Sequence, residues 1–195
     1  CFWGAEKCFW KLPGVVTTSV GYAGGEKNNP TYYEVCSGLT GHTEVVRVIW
    51  DKNQIDISDL LKMFWECHDP TQKNRQGNDI GTQYRSAIYF KNKKNKDIIL
   101  ASKKQYQKEL NNKNLGLIET EIKMIDNYFY AEQYHQQYLA STGSRQYCSA
   151  SPTKVTLGNF TGCNYKLKDF IWENFNWEVD KCVLRSDNKP IKNYI

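Results

Sequence analysis

Pro13-Gly14 divides the start of the chain into two segments of opposite periodicity, and this constrains the fold more than any other local feature. Before it, Ala5, Cys8, Phe9 and Leu12 fall near one face of a helix over residues 1–12. Proline disfavours helical backbone at the residue before it, so the helix must end there. After it, Val15 to Tyr22 is β-branched and reads as a strand. A helix and a strand this close in sequence must lie in adjacent layers, each covering the other's apolar side.

The alternation continues along the chain. Gly24 to Pro30 is built from turn residues, and Thr31 to Ser37 reads as a short helical turn. Thr43 to Trp50 reads as a strand in which Val45, Val46, Val48, Ile49 and Trp50 are apolar, so both of its faces are expected to be covered. Ser58 is the expected N-cap of a helix from Asp59 to about Cys67, with Leu60, Leu61, Phe64 and Trp65 at helical spacing. Asp69-Pro70 breaks that helix. Residues 70–83 form a polar loop too long for a plain connector, and such loops often carry function. Tyr84 to Phe90 reads as a strand, Lys96 to about Asn111 as a long charged helix, Glu119 to Ile125 as a half-exposed strand, and Ala131 to Leu139 as a short helix. The expected class is α+β, a two-layer α/β sandwich with a small mixed sheet packed by helices.

Residues 1–139 are expected to form the main domain, and 140–195 a loop-rich C-terminal extension packed on it. Residues 140–154 turn to Ser, Thr, Gly and Pro around Cys148 and read as a mobile surface segment. The aromatics return at Phe160, Phe170, Trp172, Phe175 and Trp177, so the end of the chain should pack. With 195 residues, 40% of them apolar, one domain with a real core is expected. No internal repeat is found.

The net charge of +5 comes largely from the run Lys91 to Lys96 with Lys103, Lys104 and Lys108, a pattern that a solvated helix face explains. Without an aromatic-interleaved basic stripe or a nucleic-acid motif, no nucleic-acid partner is expected. No apolar run approaches the roughly 18–20 residues needed to cross a bilayer, so no membrane partner is expected either. No signal peptide is seen. The sequon Asn159-Phe160-Thr161 matters only in a secreted protein. The seven cysteines, at 1, 8, 36, 67, 148, 163 and 182, contain no C-x-x-C pair and no zinc spacing, so neither metal nor cofactor is expected. Their odd number fits redox chemistry in a reducing compartment, and the cytoplasm is the expected location.

Several side chains have chemistry to offer. Cys1 stands at the N-terminus of the first helix, where unpaired N–H groups and the helix dipole favour a thiolate. The other reading is a small apolar residue at a fraying end. Phe2 and Trp3 are either core anchors or, beside a reactive thiol, a pocket for an S-methyl group held by sulfur–aromatic contact. Glu44 is either an exposed edge residue or a desolvated carboxyl whose raised pKa lets it act as an acid. Tyr32 and Tyr84 stand at loop-to-element junctions where a phenol can donate a hydrogen bond. His42 and His135 read as structural, His68 as a cap or a relay, and Cys36 and Cys67 as buried and inert.

The segments CFWGAEKCFWKLPGV, GYAGG, NPTYYEVCSGLTGHTEVVRV, FWECHDPTQKNRQGNDIGTQYRSAIYF and YAEQYHQQYL, spread over residues 1–139, resemble those of the A-type peptide methionine sulfoxide reductases in order and spacing. The resemblance implies a two-layer α/β sandwich. It also implies an oxidoreductase acting on the S epimer of methionine sulfoxide, free or in oxidised proteins, with thioredoxin as reductant. Nothing in the sequence suggests an obligate interface, so a monomer is expected. Cys1 matches the nucleophile, Glu44 the acid that meets the sulfoxide oxygen, Tyr32 and Tyr84 the assisting phenols, and Phe2 and Trp3 the methyl-binding aromatics. Asp79 matches a polar, more structural residue of the site. The implied cycle passes through a sulfenic acid on Cys1 and then an intramolecular disulfide.

The chain also departs from that family. The glycine before the nucleophile and the strand leading into it are absent, so the chain as it stands is expected to be impaired. The glycine-rich tail is replaced by Ser144 to Ala150 and an extension holding Cys163 and Cys182. Tyr147-Cys148 fits the first resolving position, with Cys163 expected as the second recycling thiol and Cys182 behind it. Two other readings stand beside the reductase, a thiol redox sensor and a non-enzymatic binding module on the same fold.

Overall fold

A computed structural model describes residues 1–178 and 186–192. The first helix, α1, spans Phe2–Trp10 with Cys1 as its N-cap, and β1 follows at Val15–Ala23. A short helix α2 (Tyr32–Cys36) and strand β2 (Thr43–Trp50) come next. β1 pairs antiparallel with β2 on one side and with the three-residue strand β7 (Tyr128–Tyr130) on the other, giving the order β2-β1-β7. Beyond β7 the side chain of Gln136 extends the ladder. Its Oε1 accepts from the Val20 N–H at 2.9 Å and its Nε2 donates to the Val20 carbonyl at 2.9 Å.

Helix α3 runs over Ile57–Glu66, and its N-cap is Asp56 rather than Ser58. Asp56 accepts from the Ser58 N–H at 2.9 Å, while Asp59 reaches back to the Asp56 N–H at 3.0 Å, so the capping box begins two residues earlier than expected. The polar loop after α3 contains a two-residue hairpin, β3 (Arg75–Gln76) with β4 (Asp79–Ile80). β5 (Ala87–Phe90), α4 (Lys96–Asn112) and β6 (Glu121–Met124) form a parallel crossover unit. The expected helix over 131–139 is instead two 3-10 turns, Gln133–His135 and Tyr138–Ala140. Between them Gln137 adopts the left-handed conformation and donates its N–H to Glu6 at 2.8 Å. The α+β class stands, but parallel and antiparallel pairing are segregated into separate small sheets.

One apolar cluster joins α1 to α3 through Cys8, Leu12, Ile55 and Met63, and a second joins α3 to α4 through Trp65, Ile99, Tyr106 and Leu110, while a third gathers Phe2, Val20, Tyr22, Val35 and Ala131; the first two hold the helices together. Each fully buried large side chain contributes roughly 1.5–3 kcal/mol. The C-terminal stretch enters the first two, with Leu157 in the second and Leu167 and Ile171 in the first. It has little regular structure, so its backbone donors need partners. Acidic and hydroxyl side chains of α3 supply them. Glu66 accepts from Leu157 N at 2.8 Å, Ser58 Oγ from Asn164 N at 2.9 Å, and Asp59 from Lys166 N at 3.0 Å and Leu167 N at 3.2 Å. A fifth helix, α5 (Asp169–Trp172), follows. Residues 186–192 close over the far end of α1, where the buried Lys7 donates to the Ser186 carbonyl at 2.8 Å.

A cavity of about 530 Å³ separates the two larger sheets. Consecutive residues Glu44 to Val48 and Tyr84 to Lys91 border it, so the outer edges of β2 and β5 face it rather than their pleated faces. Among the described residues neither edge has a ladder partner on that side. α1 and α3 close the cavity from one layer, through Phe9, Leu60, Leu61 and Phe64.

Glu6 is fully buried on α1, accepting from Thr18 Oγ1 at 3.0 Å and Gln137 N at 2.8 Å. Burial raises its carboxyl to about 7, against the pull of those two bonds. The folded chain therefore binds more protons than the unfolded one between the ordinary value of 4.5 and about 7. Stability must then fall as pH rises through that window, by roughly 2–3 kcal/mol in all. Denaturant titrations at pH 5 and pH 8 should show this loss in wild type and a flattened dependence in Glu6→Gln.

Candidate active site

Cys1 caps α1 without a side-chain hydrogen bond of its own to the helix, so its thiol is not engaged in capping. The next residue makes the contact that organises the site. The Phe2 N–H, one of the unpaired donors of the first turn, donates to Glu44 Oε2 at 3.1 Å. The Cys1 backbone nitrogen lies 3.9 Å from the same oxygen and 3.7 Å from Asp79 Oδ2. The Glu44 side chain is only 5% exposed. Burial raises its pKa above the ordinary carboxylate value, opposed by the Phe2 N–H and reinforced by Asp79. A buried carboxyl at the positive end of a helix can both hold a proton and bear a charge there.

The phenols come from two further segments. Thr31 and Glu34 form a capping box at the start of α2, which places Tyr32 in its first turn. Glu132 fastens that turn to the sheet, accepting from the Tyr32 N–H at 2.8 Å and from Tyr22 Oη at 2.8 Å. Tyr84 closes a 3-10 turn after the β3-β4 hairpin. Burial pushes the Tyr84 phenol up to about 12, and the charge of Glu44 adds to the rise. The Tyr32 phenol is likewise raised, first by burial and then by its bond with Cys36. Both therefore remain protonated donors near Glu44.

The aromatic floor is larger than Phe2 and Trp3. Phe2 is 3% exposed and lies 6.1 Å from the Tyr22 ring and 5.2 Å from His135, centroid to centroid. Trp3 stacks on Tyr138 at 3.9 Å and donates from Nε1 to His135 Nδ1 at 3.2 Å. That bond puts the imidazole proton on Nε2, which is buried and has no hydrogen-bond partner. Tyr32 packs on the same imidazole at 4.6 Å. His135 and Tyr138 thus belong to the site, although on sequence His135 read as structural. Their three-residue spacing was visible, but the two 3-10 turns that aim them inward were not. His42 and His68 do hold structure. His42 accepts from Gly25 N at 3.1 Å and bonds the Lys27 carbonyl, while His68 bridges the Phe64 carbonyl and Ser86 Oγ, each at 2.7 Å.

Asp79, on β4, gathers the segment around Cys148. It accepts from Tyr147 Oη at 2.8 Å and from Ser149 Oγ at 2.5 Å, while Ser149 Oγ also lies 2.8 Å from the Gln76 carbonyl. Residues 147–151 are therefore pinned to the hairpin, unlike the exposed stretch before them that was expected to carry Cys148 freely. Gly77 permits this approach. It sits at a φ of +58°, and a Cβ there would come within 1.8 Å of the Ser149 carbonyl oxygen. Cys148 is disulfide-bonded, while Cys1 and Cys163 are free thiols. The expected pairing of Cys148 with Cys163 is thus not the one found. Cys163 instead packs at the edge of the second apolar cluster, where its sulfur accepts from Phe160 N at 3.4 Å. Cys182 lies outside the described residues. Among the described residues no group of three or more His, Cys, Asp and Glu is placed to hold a metal ion, and no helix is long and apolar enough to cross a membrane.

The sequence profile of the peptide methionine sulfoxide reductases matches residues 1–161. The chain is 59% identical over 155 residues to peptide methionine sulfoxide reductase MsrA of Vibrio vulnificus, covering 80% of this chain and 74% of that one. It is 57% identical over 157 residues to the MsrA of Azotobacter vinelandii, covering 80% and 72%. Among solved structures it is similar to methionine sulfoxide reductase A of Corynebacterium diphtheriae, with a TM-score of 0.65 and 44% identity over 77% of this chain and 78% of that one. It is also similar to the reduced form of Mxr1 from Saccharomyces cerevisiae, with a TM-score of 0.67 and 34% identity over 76% and 84%. With the match running through every segment that builds the site, the chain belongs to the peptide methionine sulfoxide reductase family.

Proposed function

We propose that this chain reduces the S epimer of methionine sulfoxide, free or in oxidised proteins, with Cys1 as nucleophile and thioredoxin as the final reductant. The observation that carries the reading is the buried Glu44 carboxyl held by the Phe2 N–H beside Cys1, over a floor of Phe2 and Trp3. Disulfide exchange alone needs no such acid. The aromatic rings suit the apolar S-methyl group of the substrate, and the Tyr32 and Tyr84 phenols can donate to its oxygen.

In this scheme the Cys1 thiolate attacks the sulfoxide sulfur while Glu44 gives its proton to the oxygen. The protonated oxygen then passes to the Cys1 sulfur as the transient bond between the two sulfurs and the S–O bond of the substrate break, so methionine leaves, Cys1 carries a sulfenic acid and Glu44 is left as the carboxylate. The Cys148 thiolate attacks that sulfur, water departs, and a disulfide forms. A second recycling thiol then takes over Cys148 and releases Cys1, and a thioredoxin dithiol reduces the new bond. A bonded Cys148 beside a free Cys1 supports such an exchange. Because Cys163 is free in the same state, we assign the second recycling role to Cys182. Residues 1–139 supply the chemistry, and the extension supplies the recycling thiols of a protein acting as a monomer in the cytoplasm.

Single-turnover assays on each resolved epimer, without external reductant, test the assignment. Up to two methionines per fully reduced chain are expected from the S epimer alone, because passing the disulfide on frees Cys1 for a second attack, with none from Cys1→Ser. Equal turnover of both epimers, or activity in Cys1→Ser, would contradict it. Gly77→Ala should separate the two halves of the cycle. Its Cβ displaces Ser149 and so Cys148, so the first turnover should proceed while the sulfenic acid on Cys1, trapped by dimedone, persists longer than in wild type.

A further inference from the structure

The aromatic floor does not end at the buried rings. Tyr33 lies beside Tyr32 on α2, edge to face with ring centroids 5.9 Å apart, and is 80% exposed. Tyr134 lies 4.3 Å from the His135 imidazole and is 59% exposed. Tyr32 and His135 are themselves 4.6 Å apart, and Phe2 lies 5.2 Å from the same imidazole. These five side chains form one unbroken series of ring contacts that runs from the buried Phe2 out to two tyrosines in solvent. Scattered exposed aromatics are ordinary, whereas an exposed patch continuous with a reaction site marks a place of binding. Both ends of the series are held. The capping box of Thr31 and Glu34 fixes the first turn of α2, which carries Tyr33, and one 3-10 turn carries Tyr134 and His135 together. A tyrosine held in this way offers rigid apolar area at little conformational cost.

We propose that Tyr33 and Tyr134 form a subsite for an apolar side chain next to the methionine sulfoxide of a polypeptide substrate. The proposal rests on the reductase reading given above. A sulfoxide side chain that reaches Phe2 and Trp3 leaves its own backbone at the mouth of the site, and the next Cα lies only about 3.8 Å further along the chain. That single step brings the neighbouring side chain over the exposed rings. An aromatic or branched aliphatic side chain there buries apolar area on both partners, while the phenol oxygens at the rim stay in water. Free methionine sulfoxide and a glycine-flanked peptide have nothing to place on the rim. Apolar neighbours of a methionine lie inside folded proteins, so the subsite favours oxidised methionines in chains whose core has opened.

Three end-blocked peptides in the S epimer test this: methionine sulfoxide between two glycines, with phenylalanine before it, and with phenylalanine after it. Binding to Cys1→Ser reads the rim without turnover, and kcat/KM of the chain with Cys1 intact, recycled by dithiothreitol, reads the reaction. At least one phenylalanine peptide should bind about five- to tenfold more tightly than the glycine peptide, as for truncation of an aromatic contact at an interface. kcat/KM should show the same preference. Adding Tyr33→Ala should lower the ratio, and Tyr33→Ala/Tyr134→Ala should bring it near one. Tyr33→Ala removes an exposed ring and should leave the Kd of the glycine peptide unchanged. Turnover of the glycine peptide with equal binding of all three would overturn the subsite and leave the reductase reading standing. A phenylalanine preference undiminished in Tyr33→Ala/Tyr134→Ala would also overturn it, by placing the neighbouring residue elsewhere. A preference in binding that these substitutions remove, with no turnover of any peptide, would support the subsite and contradict the reductase reading instead.

Discussion

The hydrogen bond from the Phe2 N–H to Glu44 joins the two layers of this protein where its chemistry is concentrated. A helix start carries unpaired N–H groups and a partial positive charge, and a strand start can place one carboxylate against them. The register of β2 on β1 brings Glu44 opposite Tyr22, whose hydroxyl is held by Glu132. Glu132 in turn holds Tyr32. One contact between α1 and β2 therefore propagates to both the acid and a phenol, and Phe2 and Trp3 follow because they are the first residues of the same helix.

The remaining segments are fastened by side chains that replace missing ladders. Asp79 collects two hydroxyls from the Cys148 segment, Gln136 extends the edge of β1, and Asp59 accepts two backbone donors from the C-terminal stretch. Each anchor is a polar side chain satisfying backbone or hydroxyl groups that burial would otherwise leave unpaired, at a cost of roughly 1–3 kcal/mol each. Irregular chain can therefore pack as tightly as helix. The segment around Cys148 is consequently positioned, and its approach to the hairpin depends on Gly77 leaving room for Ser149.

How much of this was legible in the sequence follows the range of the interactions. α1, β1, β2, α3 and α4 were readable because periodicity and punctuation are local properties. Ser58 looked like the cap of α3 because hydroxyl caps are common, but Asp56 with Asp59 makes the reciprocal pair and Ser58 is left to hold Asn164. β7 has three residues, too few for a period, and exists because β1 offers it an edge. The juxtaposition of Cys1, Glu44 and Asp79 joins residues far apart in sequence, so only resemblance to a family suggested it. His135 read as structural because its partner is Trp3, more than a hundred residues earlier. Cys163 was expected as the second recycling thiol from its place in the extension, yet its sulfur is used locally by Phe160 N.

The central claim is that burial at the start of α1 keeps a proton on Glu44 beyond the pH at which an ordinary glutamate loses it. Carbon-detected NMR titration of the side-chain carboxyls, with Glu44→Gln identifying the resonance, measures this directly. The account predicts a midpoint for Glu44 above the ordinary 4.5. A midpoint at or below that value would mean that the Phe2 N–H outweighs burial, and that Glu44 anchors the helix as an anion without supplying a proton.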